Sequence, residues 1–590
     1  MHTVTHRLTS LRELMRKHNI DAYLILSGDS HKTKYTPGYW RTREWISGFT
    51  GSAGTVVVTA NDAGLWTDGR YTIQAEIELK DSGIQLHQQV PGAISYTQYI
   101  ANVMPHGGKL GFDGRTLSVS DLEAINQALD GNTVTYYTQD IINEIWRDRP
   151  PLTTQPAFEH KLHFAGKTAA EKLQDVRASM KEKGYTAYLV TALDDIAWLL
   201  NIRGADVPYI PVVYAYALIT EDSAHVFINP SQTLAVAHKL TAQGFTLHAY
   251  TALPTYLHSF TTHKLYYNST NTNIQISQAI PQSISIENKN DMDIIPSLKA
   301  IKTATELANI KDAYISEGIA MVKTLAWLSK VFIQEKQPVS ESDIAQVLKD
   351  FRSMQPHYLC DSFHTIAAYG ANASQVHYKT NGDSLQHEGL LLIDTGGQYL
   401  NGTTDTSRTI ALGQLTNDMK RDYTLVLKGH IALCRAKFPR GTSGSVLDAI
   451  VRQYLWEAGE NFAHSTGHGI GYCLSVHEGP QHIAYWHASE NLSPGMLISN
   501  EPGIYKKGRY GIRTESVLLV VDDCSNSETT FYSFENLTHC PIDTQAIDMT
   551  MLTTTEREWL NNYNHSVYMT LSPHLTGNER EWLTNATKPI

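Results

Sequence analysis

Four carboxylates lie in two segments that read as β-hairpins, and together they ask for metal. In the first segment the apolar run Leu390-Leu-Leu-Ile-Asp394 leads through Asn401-Gly402 into a return strand that carries Asp405. In the second, Met496-Leu-Ile-Ser-Asn-Glu501 leads through Lys506-Lys-Gly508 into Tyr510-Gly-Ile-Arg513-Thr-Glu515-Ser-Val517-Leu-Leu-Val-Val521. Period-two alternation predicts that Arg513, Glu515 and Val517 share one face of that strand. Four carboxylates converging in an interior would repel one another and bind protons, unless cations neutralise them. Two divalent ions sharing bridging carboxylates answer that requirement, with histidine as the usual companion ligand.

The candidate histidines lie in His464-Ser-Thr-Gly-His468-Gly-Ile-Gly471 and Val476-His477-Glu-Gly-Pro480. Glycines at 467, 469 and 471 argue against a helix, and so against two ligands one helical turn apart. Taken singly, each residue has an ordinary role. An Asp at a strand end caps turns, a Glu in a strand faces solvent, and most of the 26 histidines must serve packing or surface. Only the joint spacing points to a site.

The elements that position these residues occupy about the last half of the chain. The first 300 residues carry a weak internal duplication. Helical spacing of Leu8, Leu11, Leu14 and Met15 precedes a buried strand at Tyr23, and Leu173, Val176 and Met180 precede another at Tyr188. The echo continues with Trp45 to Gly51 against Trp198 to Gly204, then strands at Thr55–Thr59 and Tyr214–Ile219. The first copy holds about a dozen extra residues around His31 to Arg41. Helix-then-strand units imply α/β domains. Prolines predict linkers at Asp148–Leu152 and Ile294–Leu298, after which a long helical pattern runs from Thr305 to Leu328. From Phe531 onward a small separate unit is expected, ending in a helix around Thr555 to Tyr563.

Composition bounds the rest. The net charge of −11 argues against a nucleic-acid partner, and no run approaches the ~18 apolar residues of a membrane span. The N-terminus shows no signal-peptide core, and five cysteines without CxxC spacing fit a reducing compartment. A cytoplasmic, soluble protein is expected.

The set Asp394, Asp405, Gly467-His468-Gly469, Glu501-Pro-Gly and Glu515 resembles the ligand pattern of the pita-bread metallopeptidases, which include methionine aminopeptidase, prolidase and aminopeptidase P. Two tandem N-terminal α/β domains and a short C-terminal extension are similar to the three-domain form of aminopeptidase P. So are the strings Gly48-Phe-Thr-Gly-Ser-Ala-Gly54, Trp66-Thr-Asp-Gly-Arg-Tyr71 and Val376-His377-Tyr378. The resemblance implies an α/β (α+β) chain with creatinase-like domains over 1–150 and 151–297, a catalytic domain over 298–527 and an extension over 528–590. It implies that Asp394 chelates one metal, Asp405 and Glu515 bridge both, and His468 and Glu501 complete the second. Manganese is the expected pair, with zinc or cobalt compatible. Water between the cations becomes the nucleophile, with Glu501 as proton shuttle. The resemblance further assigns His377 and His477 to the substrate side, His464 to a supporting place in the pocket and Arg513 to the orientation of a metal carboxylate. Arg43 and Trp45 fall in the stretch expected to limit the substrate. The implied substrates are peptides beginning Xaa-Pro, and the implied assembly is a homodimer. A prolidase acting on Xaa-Pro dipeptides and a non-catalytic peptide-binding module are the alternatives.

Overall fold

The helix-to-strand units of the first half form as their apolar spacing requires. In a computed structural model describing residues 3–90, 92–152, 154–288, 293–486, 490–523 and 528–590, Val4–His18 is a helix that buries Leu8, Leu11 and Met15. It stops at Asn19 in the left-handed conformation and the chain enters the strand Ala22–Leu26. The second copy repeats this with Ala169–Glu182, which opens on a Thr168/Glu171 capping box and buries Leu173, Val176 and Met180. Ala187–Val190 is the strand that follows.

Each copy builds a six-stranded sheet, and the two sheets have the same topology. Ala22–Leu26 pairs antiparallel with Thr55–Thr59 and parallel with Lys109–Phe112. Ala187–Val190 pairs antiparallel with Ala215–Thr220 and parallel with Lys264–Tyr267. One apolar cluster joins the copies, with Leu24 and Phe112 from the first and Leu189 and Phe227 from the second. Residues 1–161 and 167–298 accordingly form one compact unit.

The start of the extra segment of the first copy, Asp29 to His31, is buried in that unit. Asp29 accepts hydrogen bonds from the His31 amide (2.9 Å), the Thr33 hydroxyl (2.6 Å) and the Tyr214 hydroxyl (2.7 Å). The His31 ring spans Thr191 O (2.7 Å from Nδ1) and the Tyr250 hydroxyl (2.8 Å from Nε2).

Residues 162–166 and 299–590 form the second compact unit. The helical pattern predicted after residue 300 is the helix Ala304–Leu328, opened by a Thr303/Glu306 capping box. The expected linker Ile294–Leu298 is instead helical throughout, within Ile294–Ala300. Pro296 sits in the first turn, where a missing N–H leaves no intrahelical bond unmade. The expected separate C-terminal unit shares its core with the helix Asn417–Cys434: Leu560, Val567 and Leu571 cluster with Val426 and Ile431. Its helix runs Thr554–Leu571, longer than the spacing predicts, and a further helix, Gly577–Ala586, follows it.

Both predicted hairpins are present but interrupted. Leu390–Thr395 pairs with Thr406–Ala411, while the intervening Gly397–Tyr399 and Gly402–Thr403 pair with each other in a different sheet. The turn falls on Leu400 and Asn401, not on Asn401-Gly402. An added Cβ at Gly402 would lie 2.8 Å from the Ala313 side chain, so this glycine admits the helix. In the second segment Leu497–Asn500 pairs with Ser516–Asp522, and Gly503–Lys506 with Tyr510–Arg513 in a separate two-stranded sheet. The continuous strand expected from Tyr510 to Val521 is therefore broken at Thr514 and Glu515.

Candidate metal centre

The breaks are where the carboxylates sit. Asp405 lies between Gly402–Thr403 and Thr406–Ala411, Glu501 between Leu497–Asn500 and Gly503–Lys506, and Glu515 between Tyr510–Arg513 and Ser516–Asp522. Asp394 is the penultimate residue of its strand, opposite Ser407. A chain leaving one ladder for another points a side chain inward where regular alternation would not. That bend brings the four acids of two segments together.

His468 arrives on the short strand Gly467–Gly469. A Cβ at Gly467 would lie 1.8 Å from the Ser499 carbonyl oxygen, so only glycine lets this strand approach Leu497–Asn500 so closely. One atom from each of Asp405, His468 and Glu515 can be chosen so that all lie within 4.8 Å of one another. His468 Nε2 stands 3.6 Å from Asp405 and 3.4 Å from Glu501. Its Nδ1 faces the Gly469 carbonyl at 2.9 Å, which leaves Nε2 to the carboxylates.

Asp394 is held by Arg513, whose terminal nitrogen lies 2.5 Å from Oδ2, and among the described residues its buried Oδ1 has no hydrogen-bond partner. The same guanidinium donates to the Tyr505 hydroxyl (2.6 Å) and to Ser407 Oγ (3.1 Å). Ser407 Oγ in turn donates to Glu515 (2.8 Å). Burial, followed by the neighbouring carboxylates, holds Asp405 well above the ordinary carboxylate range, and Glu515 is raised for the same reasons. Burial alone would lower Arg513, but Tyr505 and the acids around it hold it firmly protonated. An acid group this crowded, with an unpartnered buried oxygen and an imidazole nitrogen aimed into it, is a donor set that suits divalent cations.

His477 packs its ring 4.2 Å from that of His468. His464 hydrogen-bonds the Tyr505 hydroxyl at 2.8 Å and stands 3.9 Å from Glu501. His377 sits half-buried on the turn after the short helix Gly370–Ser374 and is not part of the three-residue cluster. Arg43 is buried and spends its guanidinium on Ser27 Oγ (3.0 Å) and the carbonyls of Phe49 and Gly51. Trp45 stacks on Trp146 at 5.2 Å. Both are thus engaged in the packing of the first unit.

Sequence reasoning missed a buried support around these ligands. Arg352, fully buried, donates to Glu317 (2.6 and 2.9 Å), to Asp361 (2.7 Å) and to the hydroxyl of Thr395 (2.7 Å), next to Asp394. Glu317 also accepts from Tyr399 (2.9 Å) and from Thr404 (3.2 Å), next to Asp405. Beside His477, Glu478 takes Lys302 at 2.6 Å and Lys299 at 3.1 Å, all three buried. No spacing signal links these residues, because the partners come from different elements.

Comparison with known proteins places the chain. Residues 308–522 match the model of metallopeptidase family M24, and 7–145 and 148–306 each match a creatinase/prolidase N-terminal domain. Residues 530–590 match the C-terminal region of the M24 peptidases. Aminopeptidase P2 of Arabidopsis thaliana is 36% identical, over 100% of this chain and 89% of its own length. A probable Xaa-Pro aminopeptidase P of Paracoccidioides brasiliensis (strain Pb03) is 34% identical over 96% of this chain and 95% of its own. The X-prolyl aminopeptidase of Caenorhabditis elegans, described as a cytosolic enzyme with a di-nuclear active site, superposes with a TM-score of 0.94 at 32% identity, covering 100% of both chains. Two creatinase-like domains followed by a pita-bread domain are therefore the architecture, and the chain belongs to the Xaa-Pro aminopeptidase P family of M24 metallopeptidases.

Proposed function

We propose that the chain is a dinuclear metallo-aminopeptidase that releases the N-terminal residue from peptides with proline in second position. The observation that carries the metal chemistry is the convergence of Asp405, His468 and Glu515 within 4.8 Å, beside an Asp394 oxygen that has no hydrogen-bond partner among the described residues; proline in second position is read from the names of the relatives. In this reading Asp394, Asp405, His468, Glu501 and Glu515 would together hold two divalent cations. Manganese is the expected ion. When bound, such a pair lowers the pKa of water and polarises a carbonyl.

The protein's own groups do the rest. Glu501 takes the proton from the attacking water and passes it to the departing proline nitrogen. His477 and His377 donate to the carbonyl oxygen as charge develops on it. His464, tied to Tyr505, keeps the Glu501 side of the pocket polar and fixed. Arg513 orients Asp394. The domain limits of 150, 297 and 527, the homodimer and the cytoplasmic location belong to the same reading; the C. elegans relative is described as cytosolic. Among the described residues no helix is long and apolar enough to cross a membrane.

The test is hydrolysis of Xaa-Pro-Yaa, Xaa-Ala-Yaa and Xaa-Pro peptides, with metal content measured on the same samples. Two metals per chain and preference for Xaa-Pro-Yaa are expected. Faster cleavage of the dipeptide would mean a prolidase, and a chain without metal or activity would mean a binding module.

A further inference from the structure

The strand break at Glu515 creates a demand of its own. A carbonyl outside a ladder must find a donor when buried. The Glu515 carbonyl finds it in Arg408, whose NH1 lies 2.5 Å away and also reaches Ser407 O at 2.9 Å. Arg408 is fully buried, and among the described residues no carboxylate pairs with it. Its remaining donors go to the C-terminal region: Nε to Cys540 O (3.2 Å) and Pro541 O (3.1 Å), and NH2 to Cys540 O (2.7 Å) and the Tyr563 hydroxyl (2.6 Å). The Tyr563 hydroxyl itself lies 2.7 Å from Cys540 O and 3.0 Å from Thr538 O. Four of the six hydrogen bonds of this guanidinium thus end on residues beyond 530.

We infer that the C-terminal region is part of the metal centre: Tyr563 and the Cys540 carbonyl fix Arg408, which fixes the Glu515 peptide and so aims its carboxylate. Arg408 and Tyr563 are positioning residues. Neither is among the five proposed ligands, and both act on the direction of one of them through its backbone. An arginine is required because only its planar five-donor fork can span carbonyls from three segments at once. The inference rests on Glu515 being a metal ligand, as proposed above.

The experiment compares Tyr563→Phe with Tyr423→Phe. Tyr423 is also buried and donates to the neighbouring Asp543 carbonyl (2.9 Å), but its hydroxyl makes no hydrogen bond to Arg408. Manganese affinity is measured by chelator competition, alongside thermal unfolding of the metal-free proteins and kcat and KM. Tyr563→Phe is expected to weaken manganese binding about tenfold, as loss of outer support for a ligand does, and to lower kcat with KM little changed. Tyr423→Phe should bind manganese as the wild type does. Equal affinity in Tyr563→Phe and wild type overturns the inference, as does equal weakening in both variants. If Tyr563→Phe does not fold, Arg408→Lys is measured in its place with the same expectations. Wild-type protein that binds no manganese would overturn the metal reading itself, a result distinct from either.

Discussion

Asp394 and Arg513 meet through one oxygen only: Oδ2 is 2.5 Å from the guanidinium, and Oδ1 is buried with no hydrogen-bond partner among the described residues. The arginine thereby sets the rotation of the carboxylate while leaving one oxygen for something else. Three side chains, Asp394, Tyr505 and Ser407, converge on that single cation, and each leads to another site group.

Arg513→Lys keeps the charge but loses the fork that spans these three partners. Manganese affinity should fall about 10- to 100-fold. Chelator competition reads this directly, and wild-type affinity in the variant would show that Asp394 needs no such support.

Asp405→Asn should abolish binding of two metals and cleavage of Xaa-Pro peptides. The same change should stabilise the metal-free protein, because it removes one of several crowded acids. The pH dependence gives the sign. Asp405 and Glu515 have folded pKa values raised above their unfolded ones, so their contribution is full below about pH 4 and is lost as pH rises through the folded values. Metal-free wild type should therefore lose stability relative to Asp405→Asn as pH rises from the ordinary carboxylate range. Thermal unfolding in chelator across that range checks it; parallel curves would contradict it.

Glu478→Gln leaves two buried ammonium groups without this carboxylate beside His477. Removing one partner of a buried ion pair costs about 3–5 kcal/mol. A urea midpoint unchanged from wild type would mean that Lys299 and Lys302 are readily rehydrated.

His31 has its pKa lowered by burial, with Asp29 opposing. Its contribution is full above the ordinary value of about 6.5 and is lost as pH falls from there through the folded value. His31→Gln offers a donor and an acceptor without a titration. The variant should lose less stability than wild type between pH 7.5 and about 5.5, measured by urea unfolding; equal losses would assign the acid sensitivity to other groups.

The sequence disclosed the chemistry better than the geometry that delivers it. Carboxylates and glycines mark their sites by spacing, since ligands must recur where two segments meet. The strand breaks at Asp405 and Glu515 are invisible to alternation: Arg513, Glu515 and Val517 read as one face, although the chain changes sheets between the first two. Arg352 and Glu317 are 35 residues apart and carry no local signature, because a buried pair depends on which helices pack together. Pro296 reads as a breaker until its position within a helical turn is known.

The duplicated N-terminal half has one last consequence. Two sheets of identical strand order could in principle exchange places, but the segment around Asp29 and His31 exists in one copy only and is buried against Thr191, Tyr214 and Tyr250 of the other. The pair behaves as a lock and its key rather than as twins. A chain with one half copied over the other would keep both sheets and lose the fit between them.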